Sequence, residues 1–252
     1  MGINDQMEKD ISYIYNSYLL AKQDEHKEKY KKYKGWFSAS TAGSCFRKQY
    51  YNVNGYEGTQ PDEKSMRLLR LGTIVHADIA DAFERYREQF ESQKLQLFVE
   101  HKVVLEDLNV IGHLDIGVYD EENSKLSITD IKTAHSYKWK MLFGRNPDKN
   151  PSVNYYLQLA TYGLGLCADV GENPYNLELS LTWYKKDDSL IRTQKIGNEW
   201  LESATKYWTE LNEVVGEEAG EYRIPEIGEE NVPVYNWECK YCPYHQIHCE
   251  GV

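Results

Sequence analysis

VIGHLDIGVY at residues 110–119 and KLSITDIKT at residues 125–133 flank the turn residues Glu121, Glu122, Asn123 and Ser124. Both segments alternate apolar and polar positions with the two-residue period of a strand. In the first, Ile111, His113 and Asp115 share a face; in the second, Leu126, Ile128, Asp130 and Lys132 do. A further strand is predicted at 95–105, and the short connections make the three an antiparallel meander. A charge on an otherwise apolar strand face is costly to bury unless it is paired or bound to metal. Asp115 and Asp130 on neighbouring strands, with the Ile131 carbonyl between Asp130 and Lys132, make an all-oxygen set suited to Mg²⁺ or Mn²⁺. Lys132 would stand where it can orient an attacking water and offset charge on a phosphate. The plainer alternative is an ion pair of Asp130 with Lys132, with Asp115 near a sheet edge.

Outward from this core the periodicity is helical. Met7, Ile11, Ile14, Tyr15, Tyr18 and Leu19 are spaced by three and four in a predicted helix over 5–34. Ser38 or Ser40 can cap a short helix carrying Cys45, Arg47 and Lys48. After a turn-rich stretch at 52–61, a long helix over 62–90 has Leu68, Leu71, Val75, Ile79, Ala82 and Phe83 as its apolar stripe. Beyond the meander come a helix at 153–167, a strand pair at 177–185 and 190–196, a helix at 198–215, and a tail bearing Pro and Cys. The chain divides into an N-terminal helical segment (1–37), a helix with an early cysteine (38–61), a core (62–197) and a C-terminal helix with a cysteine-bearing segment (198–252). Helices around a mixed sheet define an α/β class.

The 252 residues carry 29 Lys plus Arg against 40 Asp plus Glu, a net charge of −11. That balance argues against coating nucleic acid by charge alone, although it leaves room for a local basic groove. No run approaches the roughly 18 apolar residues of a membrane span. The start, MGINDQMEKD, lacks the basic and apolar regions of a secretory signal, and Gln6 stands where myristoylation wants Ser or Thr. A soluble, cytoplasmic protein without membrane contact is expected. Five cysteines in such a chain read as ligands or core thiols rather than disulfides. Lys27, Lys29, Lys31, Lys32 and Lys34 interleave with Tyr30, Tyr33 and Trp36. Such a tract can follow phosphates while rings stack on bases, but a run of like charge reads first as a solvated helix end.

Four short motifs fall in order: G-T-I-V-H ending at His76, G-H-L-D ending at Asp115, D-I-K at 130–132, and Q-L-A-T-Y from Gln158 to Tyr162. In order and setting they resemble the RecB-type branch of the PD-(D/E)XK nuclease superfamily, across about residues 38–249. The resemblance implies a restriction-endonuclease-like core of helix, three-strand meander, helix and strand, with added helices and a C-terminal iron-sulfur staple. It implies a Mg²⁺- or Mn²⁺-dependent DNA nuclease, an exonuclease on single strands or free ends, serving recombination, repair, phage DNA processing or CRISPR adaptation. Asp115, Asp130 and the Ile131 carbonyl would hold the metal, with His76 as a further ligand. Lys132 would position the water, and Gln158 and Tyr162 would orient the phosphate or the lysine. Glu100 matches an acidic position of the family, while Glu84 reads as a surface carboxylate.

Cys239 and Cys242 form C-x2-C, Cys249 follows, and Cys45 lies far upstream. One early and three late cysteines resemble the iron-sulfur exonucleases of this superfamily, among them CRISPR-associated exonucleases and repair-helicase nuclease modules, which implies a [4Fe-4S] cluster on these four. A structural Zn²⁺ site, with His245 or His248 replacing one cysteine, is the alternative. Cys167 reads as a core thiol. For DNA, Arg47 and Lys48, and Tyr137, Lys138, Trp139, Lys140 and Arg145 after the third strand, offer cations and rings; a loop packed on the sheet is the alternative for the second group. No G-x-x-x-x-G-K-[ST] occurs, so unwinding would need a helicase, recombination or CRISPR adaptation partner. The competing class is a non-cutting DNA- or protein-binding module with a nuclease-like fold.

Overall fold

A computed structural model describes residues 10–147, 152–215, 217–218 and 221–252. The predicted start of the first helix, with Met7, lies outside them. Asp10 caps α1 (Ile11–Tyr30) by accepting the Ser12 and Tyr13 N–H groups, and the helix ends in a 3-10 turn at Lys31–Tyr33. Then follow β1 (Phe37–Ser38), α2 (Phe46–Val53), α3 (Glu63–Arg85), α4 (Arg87–Ser92), β2 (Leu95–Leu105), β3 (Val110–Asp120) and β4 (Lys125–Ala134). The chain continues through α5 (Ser136–Phe143), α6 (Val153–Val170), β5 (Leu177–Lys185), β6 (Ile191–Ile196) and α7 (Glu199–Val215). No helix among the described residues is long and apolar enough to cross a membrane.

The sheet is mixed. β2, β3 and β4 form the antiparallel meander, β4 pairs in parallel with β5 through the α5–α6 crossover, and β6 returns antiparallel to β5. The edge of β3 facing β4 is shared. β4 holds it from Ile116 to Asp120, β1 holds it in parallel at Val110 and Ile111, and residues 112–115 face a split between them. Leu114, Leu126, Ile128, Leu179 and Leu181 pack with α6 and α7 on one side, where the Trp208 indole donates to Thr161 Oγ1 at 2.8 Å. Leu97, Ile116 and Ile131 form a smaller layer with Ile79 and Phe83 of α3 on the other.

Strand alternation does not run evenly through β2 and β3. Leu114 and Gly117 both face the larger core, Gly117 lying against Leu166, whereas Ile116 belongs to the smaller layer. Opposite this slip, Glu100 takes a left-handed conformation (φ 47°), a strained state for a side chain in mid-strand. The register is the same on both sides of it, Val99 to Ile116 and His101 to Leu114. The period-two reading places Asp115 in a regular strand; the backbone instead turns there.

Other expectations are corrected. The long helix breaks at Tyr86 into α3 and α4, where the Arg87 guanidinium grips Glu84 and the Leu97 carbonyl. Its stripe is only partly covered, Leu71 being 49% exposed, because the smaller layer is narrow. Cys45 is the residue before α2 rather than within it, and Ser38 and Ser40 bond to each other rather than cap that helix. Residues 136–143 are helical, with Trp139 and Phe143 packed on the core.

Candidate active site

Asp115, Asp130 and Lys132 meet where β3 and β4 part. Asp115 Oδ2 accepts the Ile131 N–H at 2.6 Å, and its Oδ1 lies 3.3 Å from His76 Nδ1 on α3, so one carboxylate ties three elements together. Asp130 is 2% exposed. Lys132 Nζ stands 2.7 Å from Asp130 Oδ2, a buried ion pair. The same ammonium donates to Gln158 Oε1 at 3.0 Å, and the Gln158 amide donates to the Tyr162 hydroxyl at 2.9 Å. Gln158 and Tyr162 are one turn apart on α6, so a single helix face sets both. Gly112 makes room for this face: a Cβ there would lie 2.8 Å from Tyr162 Cε1 and 2.7 Å from Ala39 Cβ.

The electrostatics follow from burial. Loss of water pushes the Asp130 carboxyl up, with Lys132 pulling it back and the Asp115 charge adding to the rise. Burial would depress Lys132, but Asp130 outweighs it and the ammonium is held above its ordinary value. Burial likewise disfavours a charged His76, yet the hydrogen bond and charge of Asp115 leave the imidazole raised. Glu100 is pushed up by shielding from water and by Asp115, while His76 and Lys29 draw it down. Asp115 and Asp130 thus crowd around Lys132 and the His76 imidazole.

No group of three or more His, Cys, Asp or Glu side chains forms a ready metal cage among the described residues. Asp130 is drawn to Lys132, and Asp115 to His76 and the Ile131 N–H. The donor chemistry nonetheless suits a hard divalent cation: two carboxylates of adjoining strands, with Asp130 Oδ2 buried and met by the Lys132 ammonium.

Cys45, Cys239, Cys242 and Cys249 line one cavity of about 160 Å³, together with Arg47, Lys48, Asn154, Trp237 and His245. Glu238 accepts the Cys45 N–H at 3.2 Å, joining the start of α2 to the tail. Burial pushes the Cys45 thiol up to about 11, with the Lys48 and Arg47 N–H groups of α2 acting against the rise. Burial also raises Cys242. The His245 Nε2 lies 3.1 Å from the Glu250 carbonyl, and the His248 Nε2 lies 2.9 Å from that of Glu57. Cys167 is buried in the larger core, away from this cavity.

The DNA candidates are dispersed. Arg47 is turned inward, donating to the Pro225 carbonyl at 2.8 Å and the Tyr51 hydroxyl at 3.0 Å. Trp139 packs edge-on against Phe143, 4.8 Å between centroids, with the Lys185 ammonium over it. Lys140 and Arg145 are exposed. Glu84 pairs with Arg87 at the surface. Tyr155, outside the four sequence motifs, has its ring 4.8 Å from Lys132 Nζ. The signal was available: Tyr155, Gln158 and Tyr162 recur at helical spacing on one face.

The profile of the PD-(D/E)XK nuclease superfamily matches residues 74–249. No curated protein sequence matches. Among solved structures, a protein designated SSO0001 is similar with 17% identity and a TM-score of 0.51, over 95% of this chain and 98% of the other. An alkaline exonuclease (LHK-Exo) from Laribacter hongkongensis aligns with 12% identity and a TM-score of 0.46, over 73% of this chain and 90% of its own.

Proposed function

The chain belongs to the PD-(D/E)XK nuclease superfamily, and on that premise we propose that it is a metal-dependent DNA nuclease hydrolysing phosphodiester bonds in single strands or at free ends. The observation that carries this reading is the meeting of Asp115, Asp130 and Lys132 at the split between β3 and β4. Asp115, Asp130, the Ile131 carbonyl and His76 would hold Mg²⁺ or Mn²⁺. Bound there, the ion would supply Lewis acidity toward a phosphoryl oxygen and ease deprotonation of water. The remaining work falls to the chain. Lys132, held charged by Asp130, directs its N–H groups at an attacking water or a developing oxyanion. Gln158 fixes the lysine, and Tyr162 fixes Gln158, so the ammonium is aimed before substrate arrives.

The four cysteines around one cavity support a [4Fe-4S] cluster joining the start of α2 to the tail. Zinc with a histidine ligand is the alternative: the Nε2 atoms of His245 and His248 face backbone carbonyls, which leaves each Nδ1 as the nitrogen able to bind a metal. Lys48, Lys138, Lys140 and Arg145 remain candidate phosphate contacts. A partner motor, in recombination, repair or CRISPR adaptation, would supply unwinding.

The deciding experiment uses DNA strands labelled at either end, incubated with Mn²⁺, Mg²⁺ or EDTA. Metal-dependent shortening from a labelled end is expected. Absence of cutting in every metal, by protein whose cysteine site is loaded, would leave a binding module instead.

A further inference from the structure

The basic and aromatic tract that closes α1 does not stand alone in solvent. Tyr30 and Tyr33 fold back onto His113 of β3, with ring centroids 5.9 and 6.4 Å from the imidazole. His26 stacks on Tyr30 at 4.3 Å. Three ammonium groups converge on these rings: Lys29 5.5 Å from Tyr30, and Lys32 and Lys102 4.9 and 5.4 Å from Tyr33. Tyr30, Tyr33 and His113 are half-buried, and His26, Lys29, Lys32 and Lys102 are exposed. Lys31, by contrast, is paired with Glu28.

The place matters more than the composition. His113 lies in the stretch of β3 that faces the split, two residues before Asp115, or about 7 Å along the strand. Lys102 of β2 is the cross-strand partner of His113, and Glu100 lies opposite Asp115 between the pairs Val99–Ile116 and His101–Leu114. Further up α1, Asn16, 6% exposed, accepts the Arg67 guanidinium of α3 at 2.7 Å, and Leu19 is buried, so the helix is fastened along its length. In a chain of net charge −11, cations gathered over rings beside crowded carboxylates are an unusual concentration.

We propose that Lys29, Lys32 and Lys102 with Tyr30, Tyr33 and His113 form a single-strand DNA cradle that leads the strand to Asp115 and Asp130. This rests on the nuclease reading of those two carboxylates. An unpaired base stacks on Tyr33 in place of the lysine stems, and the released ammonium groups take the flanking phosphates. Duplex bases are already stacked on one another, so the cradle favours single strands.

The test compares wild type with Lys29→Ala/Lys32→Ala/Lys102→Ala, Tyr33→Leu and Tyr33→Phe, and with Lys206→Ala of α7 as a control. Each is assayed with Mn²⁺ on a single-stranded oligothymidylate, on a blunt duplex, and on bis(4-nitrophenyl) phosphate, a diester with no base. KM for the single strand should rise about tenfold in the triple variant and in Tyr33→Leu. kcat, the rate on the small diester and the Tyr33→Phe protein should stay at wild-type values. An unchanged KM, or an equal rise on duplex, overturns the cradle. If wild type cuts neither DNA nor the small diester, the nuclease reading fails. Anisotropy of the dye-labelled oligothymidylate in EDTA then decides the cradle by itself: equal affinity of wild type and triple variant overturns it, and a loss of about tenfold supports it.

Discussion

Asp115 Oδ2 accepts the Ile131 N–H at 2.6 Å across the point where β3 and β4 part. The carboxylate stands in for a ladder bond, satisfying a backbone donor on a residue that is 1% exposed. Asp115 therefore has a structural task beside its chemical one, and two substitutions separate them. Asp115→Ala should abolish cutting and cost about 1–3 kcal/mol of stability, the penalty of an unmet buried donor. Asp115→Asn keeps an acceptor and should unfold in urea nearer to wild type, while still failing to cut. A folded, fully active Asp115→Asn protein would remove this carboxylate from the site.

The Lys132–Asp130 pair predicts a link between metal and stability. Lys132→Ala leaves the buried Asp130 carboxylate without its cation, and breaking a buried pair costs about 3–5 kcal/mol. The melting temperature without metal should fall, and Mn²⁺ should restore more of it in Lys132→Ala than it adds to wild type. Asp130→Ala should respond to Mn²⁺ least. Cutting should be lost in both, and the double variant should be little worse than either, since the groups act together. Equal Mn²⁺ shifts in all three proteins would argue against a cation at these carboxylates.

His76 sets a pH dependence with a definite sign. Asp115 raises the folded imidazole above its ordinary value of about 6.5. The stabilisation is fully present below the unfolded value and is lost as pH rises through the folded one. Compared with His76→Gln in metal-free buffer, wild type should hold its advantage at acid pH and lose it toward alkaline pH in thermal melts. An advantage growing with pH would mean that the ring is buried neutral. If His76 also binds metal, Mn²⁺ should expel its proton, so metal affinity should rise with pH over the same window.

An iron-sulfur cluster at Cys45, Cys239, Cys242 and Cys249 predicts a brown protein with a broad visible band when purified without oxygen. Cys45→Ser should bleach it and lower the melting temperature, because Cys45 and the Glu238 contact join the early chain to a tail with little regular structure. Cys167→Ser should keep the colour, its thiol being packed among apolar side chains. Zinc without iron in the elemental analysis would replace the cluster with a structural ion.

How far the sequence showed this arrangement depends on how local each cause was. Asp130 and Lys132 share a face because β4 is regular, and Gln158 reaches Tyr162 because α6 is; periodicity suffices for both. Asp115 is different. Its position depends on the left-handed turn at Glu100 on the neighbouring strand, a tertiary conformation with no local signal such as glycine. The break at Tyr86 likewise has no proline or glycine; it is held by Arg87 reaching Glu84 and the Leu97 carbonyl. The end of α1 is instructive in the other direction. Its charge run suggested a solvated end because its counterpart, His113, lies on a strand far along the chain.

α6 borders the cysteine cavity at Asn154, supports Lys132 through Tyr155 and Gln158, and reaches Gly112 through Tyr162. Its 18 residues make a rod about 27 Å long. Packed as it is in the larger core, such a rod moves as one piece. The cysteine-lined start of α6 and the lysine-holding turn next to it are therefore mechanically in series: whatever loosens the cavity at Cys45 or Cys239 also frees the lever on which the aim of Lys132 depends.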